Sequence, residues 1–131
     1  MNIFLVDDDL TFRFILRTIA NTTDFARVVG EACNGQEALD ILTQKFQSGE
    51  DLPDVVFLDI NMPVMNGWEF LTEISKVIVN RQDVPPIFVL TSSINSEDHK
   101  RAETYLCVKG FYTKPINSTH LEEMRQMLQI H

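Results

Sequence analysis

The sequence predicts a doubly wound α/β fold on a five-stranded parallel sheet. Three observations carry that expectation. Short apolar runs alternate five times with stretches of helix length. The central run, Val55-Val56-Phe57-Leu58, is apolar at every position, as a strand covered on both faces must be. The chain has 131 residues, 44% of them hydrophobic, which suits one domain with a substantial core.

The elements follow in order. Ile3-Phe4-Leu5-Val6 reads as the first strand and runs directly into Asp7-Asp8-Asp9. Phe12, Ile15, Leu16, Ile19 and Ala20 then fall at i, i+3, i+4, i+7 and i+8, the stripe of an amphipathic helix. Asp9 precedes that stripe and is read as an N-cap or a solvated acid rather than a third ligand of the site. A second strand is expected over 26–32. Asn34 with Glu37 three residues on resembles a capping box, and Ala38, Leu42 and Phe46 continue the helix. After the strand at 55–58, Phe70, Leu71, Ile74, Val77 and Ile78 make a third stripe. A fourth strand is expected at 87–90. Residues 96–105 are mostly polar, which predicts an exposed, weakly held helix. A fifth strand is expected at 110–113. Asn117 and Ser118 are cap candidates for a last helix carrying Leu121, Met124 and Leu128. Strands alternating with helices mean right-handed βαβ crossovers. In such sheets, sites form beyond the carboxyl ends of the strands.

The strand ends are where the chemistry gathers. The first ends in Asp7-Asp8-Asp9, the third in Asp59, the fourth in Thr91-Ser92 and the fifth in Lys114-Pro115. Carboxylates that converge repel one another and rise in pKa unless a cation sits among them. Hard oxygen ligands at a shallow crevice suit Mg²⁺, and lysine is a compact charge that pairs with phosphate. Asp59 could then attack phosphorus as a carboxylate nucleophile, with metal, Lys114 and the Thr91 hydroxyl offsetting charge on the transferred group.

Composition narrows the partners. Lys and Arg number 11 against 19 for Asp and Glu, a net charge of -8, with none of the cation clusters that direct nucleic-acid binding needs. No apolar run approaches a membrane span, and the start lacks a basic n-region, so a cytoplasmic protein is expected. Cys33 and Cys107 have no metal-ligand spacing and are expected to be unpaired, largely packed thiols. Trp68, after Gly67 at a helix start, is expected to be packed or partly at the surface. His99, His120 and His131 lie on polar stretches or at the terminus and are expected at the surface.

Four strings then belong together: Phe4-Leu5-Val6-Asp7-Asp8-Asp9, residues 57–67 from Phe57-Leu58-Asp59 through Asn61-Met62-Pro63 to Asn66-Gly67, Leu90-Thr91-Ser92, and Phe111-Tyr112-Thr113-Lys114-Pro115. In this order they resemble the receiver domain of the response regulators of bacterial two-component systems, over nearly the whole chain. The resemblance implies a flavodoxin-like (βα)5 fold with strand order 2-1-3-4-5 and a cis Lys114-Pro115 bond. It implies Asp59 as phosphoacceptor, Asp7, Asp8, Asp59 and the Asn61 backbone carbonyl as Mg²⁺ ligands, and Lys114 as partner of the phosphoryl group. Thr91 would be the switch hydroxyl and Phe111 the switch aromatic. It further implies a histidine kinase or phosphotransfer protein as donor. The output would be a downstream protein, or a second copy of the chain, docking on the face made by 96–105, 110–113 and 118–130. The chain is expected to be a single receiver domain over 1–131 without an output domain, and not an enzyme acting on an external substrate.

Two departures from the family pattern stand out. Residues 45–53 are longer than usual, and Leu106-Cys107-Val108-Lys109-Gly110 lacks the common Gly-Ala pair. Three competing readings fare less well. A haloacid-dehalogenase-like phosphatase needs an acid two residues after its nucleophile, where this chain has Asn61. A pseudo-receiver usually loses an acid, the hydroxyl or the lysine, all of which are kept. A flavodoxin-like cofactor carrier needs a phosphate loop after the first strand, where this chain has acids.

Overall fold

The computed structural model describes residues 1–129. Ten elements alternate strictly: β1 (Asn2–Val6), α1 (Leu10–Asn21), β2 (Arg27–Ala32), α2 (Gly35–Ser48), β3 (Val55–Leu58), α3 (Gly67–Val77), β4 (Ile87–Thr91), α4 (Ser96–Glu103), β5 (Val108–Thr113) and α5 (Ser118–Met127). All pairings are parallel, and the strand order is β2-β1-β3-β4-β5. The expected fold class and order are therefore both found.

Strand pleating divides the core in two, because successive side chains point to opposite faces. Phe4, Val6, Val56, Leu58 and Val89 join Leu42, Phe70 and Leu71 on the α2–α3 side. Ile3, Leu5, Val55, Phe57 and Leu90 join Leu16, Ala20, Leu121 and Met124 on the α1–α5 side. β1, β3 and β4 are buried nearly throughout, which is why their runs are apolar without alternation.

Caps fix where the helices begin. Asp9 accepts from the backbone N–H of Thr11 and Phe12, as expected of an N-cap. Asn66 and Glu69 form a full capping box on α3. Asn34 caps α2 through the Glu37 N–H, but the Glu37 carboxylate takes a thiol hydrogen bond from Cys33 instead of closing a box. Asn117 caps α5, and the reciprocal bond comes from His120, whose Nδ1 accepts from the Asn117 N–H.

Several expectations shift in detail. β4 extends to Thr91, so the hydroxyl is the last residue of the strand. β5 starts two residues earlier, at Val108. α4 stops at Glu103 and buries only Ala102; it lacks a hydrophobic stripe, as its composition foretold. α2 runs on to Ser48, into the long segment, and Gly49, with a φ of 74°, ends the helix in the left-handed conformation. Leu128 is the C-cap of α5 rather than part of it. Trp68 is buried, with the Arg101 guanidinium 4.5 Å from the centre of its ring. His120 is half-buried rather than at the surface. Ile130 and His131 lie outside the described residues.

Cys33 and Cys107 are both free, but Cys33 is exposed, not packed. It follows β2 and Cys107 precedes β5, at opposite edges of the sheet. Four strand spacings, roughly 19 Å, separate those edges, far beyond the reach of a disulfide.

Candidate functional site

The site is assembled by four adjacent strands, β1, β3, β4 and β5. Asp59 follows β3, and its backbone N–H donates to Val6 O at 2.9 Å, so the sheet ladder itself sets Asp59 beside the end of β1. In the same way the Lys114 N–H donates to Thr91 O at 2.8 Å, tying the end of β5 to β4. Lys114-Pro115 is cis, as expected.

Asp7 is 1% exposed and Asp59 7% exposed, whereas Asp8 is open to solvent. One carboxylate oxygen from each lies within 4.8 Å of the other two. The Lys114 ammonium bridges the two buried acids, 2.7 Å from Asp7 Oδ2 and 3.6 Å from Asp59 Oδ2. It also lies 3.9 Å from the centre of the Phe12 ring, whose face favours a cation. The remaining oxygens are committed: Asp7 Oδ1 accepts from the Asp9 N–H at 2.9 Å, and Asp59 Oδ1 from the Ile60 N–H at 2.8 Å. One Asp59 oxygen is thus held by backbone and the other faces Lys114.

Burial dominates the electrostatics. It pushes the Asp59 pKa up from 3.8 to about 6; Lys114 and the Ile60 N–H pull it down, while Asp7 and Asp8 push it further up. Three carboxylates share one ammonium, and that deficit of positive charge, with hard oxygens only, fits a small divalent cation. The donor set therefore agrees with the metal expected from sequence.

Thr91 is fully buried at the end of β4, and its Oγ1 accepts from the Ser93 N–H at 3.2 Å. Asn61 is exposed in the loop leaving β3. Phe111 is half-buried on β5. Parallel pairing sets Val89 opposite Phe111 and Thr91 opposite Thr113. Thr91 and Phe111 consequently share one face of neighbouring strands.

α3 begins against the acceptor. A Cβ on Gly67 would stand 2.6 Å from Asp59 O and 2.8 Å from Ile60 Cα. Only glycine lets the helix start there. Val64, in the preceding loop, holds a left-handed φ of 67° and is 80% exposed. A β-branched residue is strained in that region.

Sequence reasoning passed over three side chains here. Phe12 was assigned only to a core stripe, yet its ring seats Lys114. Arg13 donates to the Asp7 backbone carbonyl and pairs with Glu31 at 3.1 Å, which places a second cation behind the acids. A cation in the first turn after an acidic strand end was the available signal. His99 is exposed, as expected, and its ring lies 4.8 Å from that of Phe111 at an interplanar angle of 8°.

Comparison with known proteins agrees with this geometry. The family model described as "Response regulator receiver domain" matches residues 3–126. A protein-glutamate methylesterase/protein-glutamine glutaminase 1 of Methanosarcina acetivorans is 37% identical over 102 residues, 78% of this chain and 26% of that protein. The chain thus spans about a quarter of that relative's length. The crystal structure of a two-component response regulator from Cytophaga hutchinsonii superposes with a TM-score of 0.84 at 26% identity, covering 99% of this chain and 97% of that one. The Mn(2+)-bound form of response regulator Rcp1 superposes with a TM-score of 0.71 at 26% identity, covering 98% of this chain and 88% of that one. With the acids, hydroxyl and lysine of the four sequence strings now set at adjoining strand ends, the chain belongs to the response regulator receiver domain family of two-component systems.

Proposed function

We propose that Asp59 accepts a phosphoryl group from the phosphohistidine of a histidine kinase or phosphotransfer protein. The observation that carries this reading is the Lys114 ammonium poised between Asp7 Oδ2 and Asp59 Oδ2. Asp59 Oδ1 is tethered by the Ile60 N–H, so Oδ2 is the oxygen free to attack. The P–N bond of the donor breaks as the Oδ2–P bond forms, and the imidazole leaves with the electron pair. A pKa of about 6 keeps Asp59 mostly ionised at neutral pH, as a nucleophile must be.

Asp7, Asp8, Asp59 and the Asn61 backbone carbonyl are the groups that would hold Mg²⁺, which when bound offsets charge on the phosphoryl oxygens. The manganese in the Rcp1 structure supports a divalent ion in this fold. Lys114 gives up Asp7 and pairs with a phosphoryl oxygen. The Thr91 hydroxyl donates to another. That inward motion opens space into which Phe111 turns, a population shift limited by the differential affinity of the phosphoryl group for the two states. The surface that changes is α4, β5 and α5, where a protein partner or a second copy of the chain docks. The chain transforms no external substrate; its chemistry is its own phosphorylation and dephosphorylation. It acts as a receiver unit in the cytoplasm, without direct contact to nucleic acid or membrane. Among the described residues no helix is long and apolar enough to cross a bilayer.

The test is incubation with acetyl phosphate and Mg²⁺, read by intact mass. One base-labile phosphoryl group is expected, absent from Asp59→Asn. Undiminished labelling of that variant refutes the assignment. Lys114→Ala is expected to bind the metal but phosphorylate poorly.

A further inference from the structure

α4 is poorly anchored, with Ala102 its one buried residue. Its contact with Phe111 is therefore conspicuous. His99, 55% exposed, lays its imidazole flat on the Phe111 ring, with centroids 4.8 Å apart and planes within 8°. The rest of Phe111 packs on the α2–α3 side of the core.

We infer that His99 is the positioning residue for Phe111, holding the ring against α4 and so setting the switch equilibrium. This rests on the proposed phosphoryl-driven turn of Phe111. A ring that turns into the space beside Thr91 must leave the imidazole face, because a flat stack tolerates no large rotation of one partner. The contact made only before the turn favours the unturned state. Any phosphoryl group must work against it, and removing it lowers that opposition. His99 also stands 3.6 Å from Glu103 on its own helix, so the Phe111→Ala background, rather than the single variant, isolates the stack.

Beryllofluoride, a phosphoryl mimic, would be titrated with Mg²⁺ in excess, and binding read from the single tryptophan, Trp68, which packs against Arg101 of α4. Aromatic stacking of this kind predicts that His99→Ala tightens apparent beryllofluoride binding about two- to tenfold. His99→Phe, which keeps a flat ring, should bind as the parent does. In a Phe111→Ala background His99→Ala should change nothing, an outcome that a merely structural role in α4 would not produce. Unchanged or weaker binding by His99→Ala overturns the inference, as does an equal gain in the Phe111→Ala background. A parent protein that binds no beryllofluoride overturns the proposed function as well, which separates the two failures.

Discussion

Asp59→Asn should make the metal-free protein more stable at neutral pH, against the usual cost of altering a buried residue. Asp59 is 7% exposed, and burial raises its pKa from 3.8 to about 6. For an acid shifted upward, the native state holds its proton to higher pH than the unfolded chain does. Between pH 3.8 and about 6 the native state therefore binds more protons, and stability falls as pH rises through that window. Above about pH 6 the whole cost is present, about 3 kcal/mol for a shift of this size. The shift to about 6 already contains the pull of Lys114, and allowance for solvent screening beside the exposed Asp8 brings the expected net gain to about 2 kcal/mol. For a chain of this length that is roughly 6–8 °C in Tm. Urea unfolding in chelator at pH 7.5 and pH 5 measures it; the gain should be largest at pH 7.5 and about 1.4 kcal/mol smaller at pH 5. Equal midpoints at pH 7.5, or a variant less stable than its parent, would refute the view that a desolvated carboxylate strains this crevice.

Three further outcomes follow from the same geometry. Asp8 is solvent-exposed, so Asp8→Ala should barely change Tm in chelator but should remove the Mg²⁺-induced rise, about 1.4 kcal/mol for the parent at ten times its Kd; thermal scans with and without Mg²⁺ check this. Gly67→Ala forces a Cβ to 2.6 Å from Asp59 O and should cost about 2–3 kcal/mol by denaturant unfolding, with weaker metal binding as Asp59 is displaced. Val64 is 80% exposed at a φ of 67°, so Val64→Gly should gain about 0.5–1 kcal/mol, strain relief exceeding the added backbone entropy of the unfolded chain; an unchanged midpoint would show that the loop carries no such strain.

Element order, the parallel sheet and the identity of the residues at the strand ends are all legible in the amino-acid order. Period-2 and period-3.6 patterns are local, and strands buried on both faces announce themselves as unbroken apolar runs, as Val55-Val56-Phe57-Leu58 does. The topology rule then brings Asp7, Asp59, Thr91 and Lys114 to one edge with no coordinates needed. How those groups meet is set by contacts between segments far apart in the chain. Which Asp59 oxygen is tethered and which faces Lys114 depends on backbone positions several strands apart. The roles of Phe12 beneath Lys114, Arg13 behind Asp7 and His99 on Phe111 also rest on contacts between distant segments. An aromatic in a helical stripe or a histidine on a polar helix looks the same in sequence whether it faces water or a functional ring. Element ends behaved likewise: Thr91 counts as strand because its carbonyl receives the Lys114 N–H, a bond between neighbouring strands. Local patterns specify what each segment can become, and the partner that satisfies its last exposed groups is fixed only when the chain closes on itself.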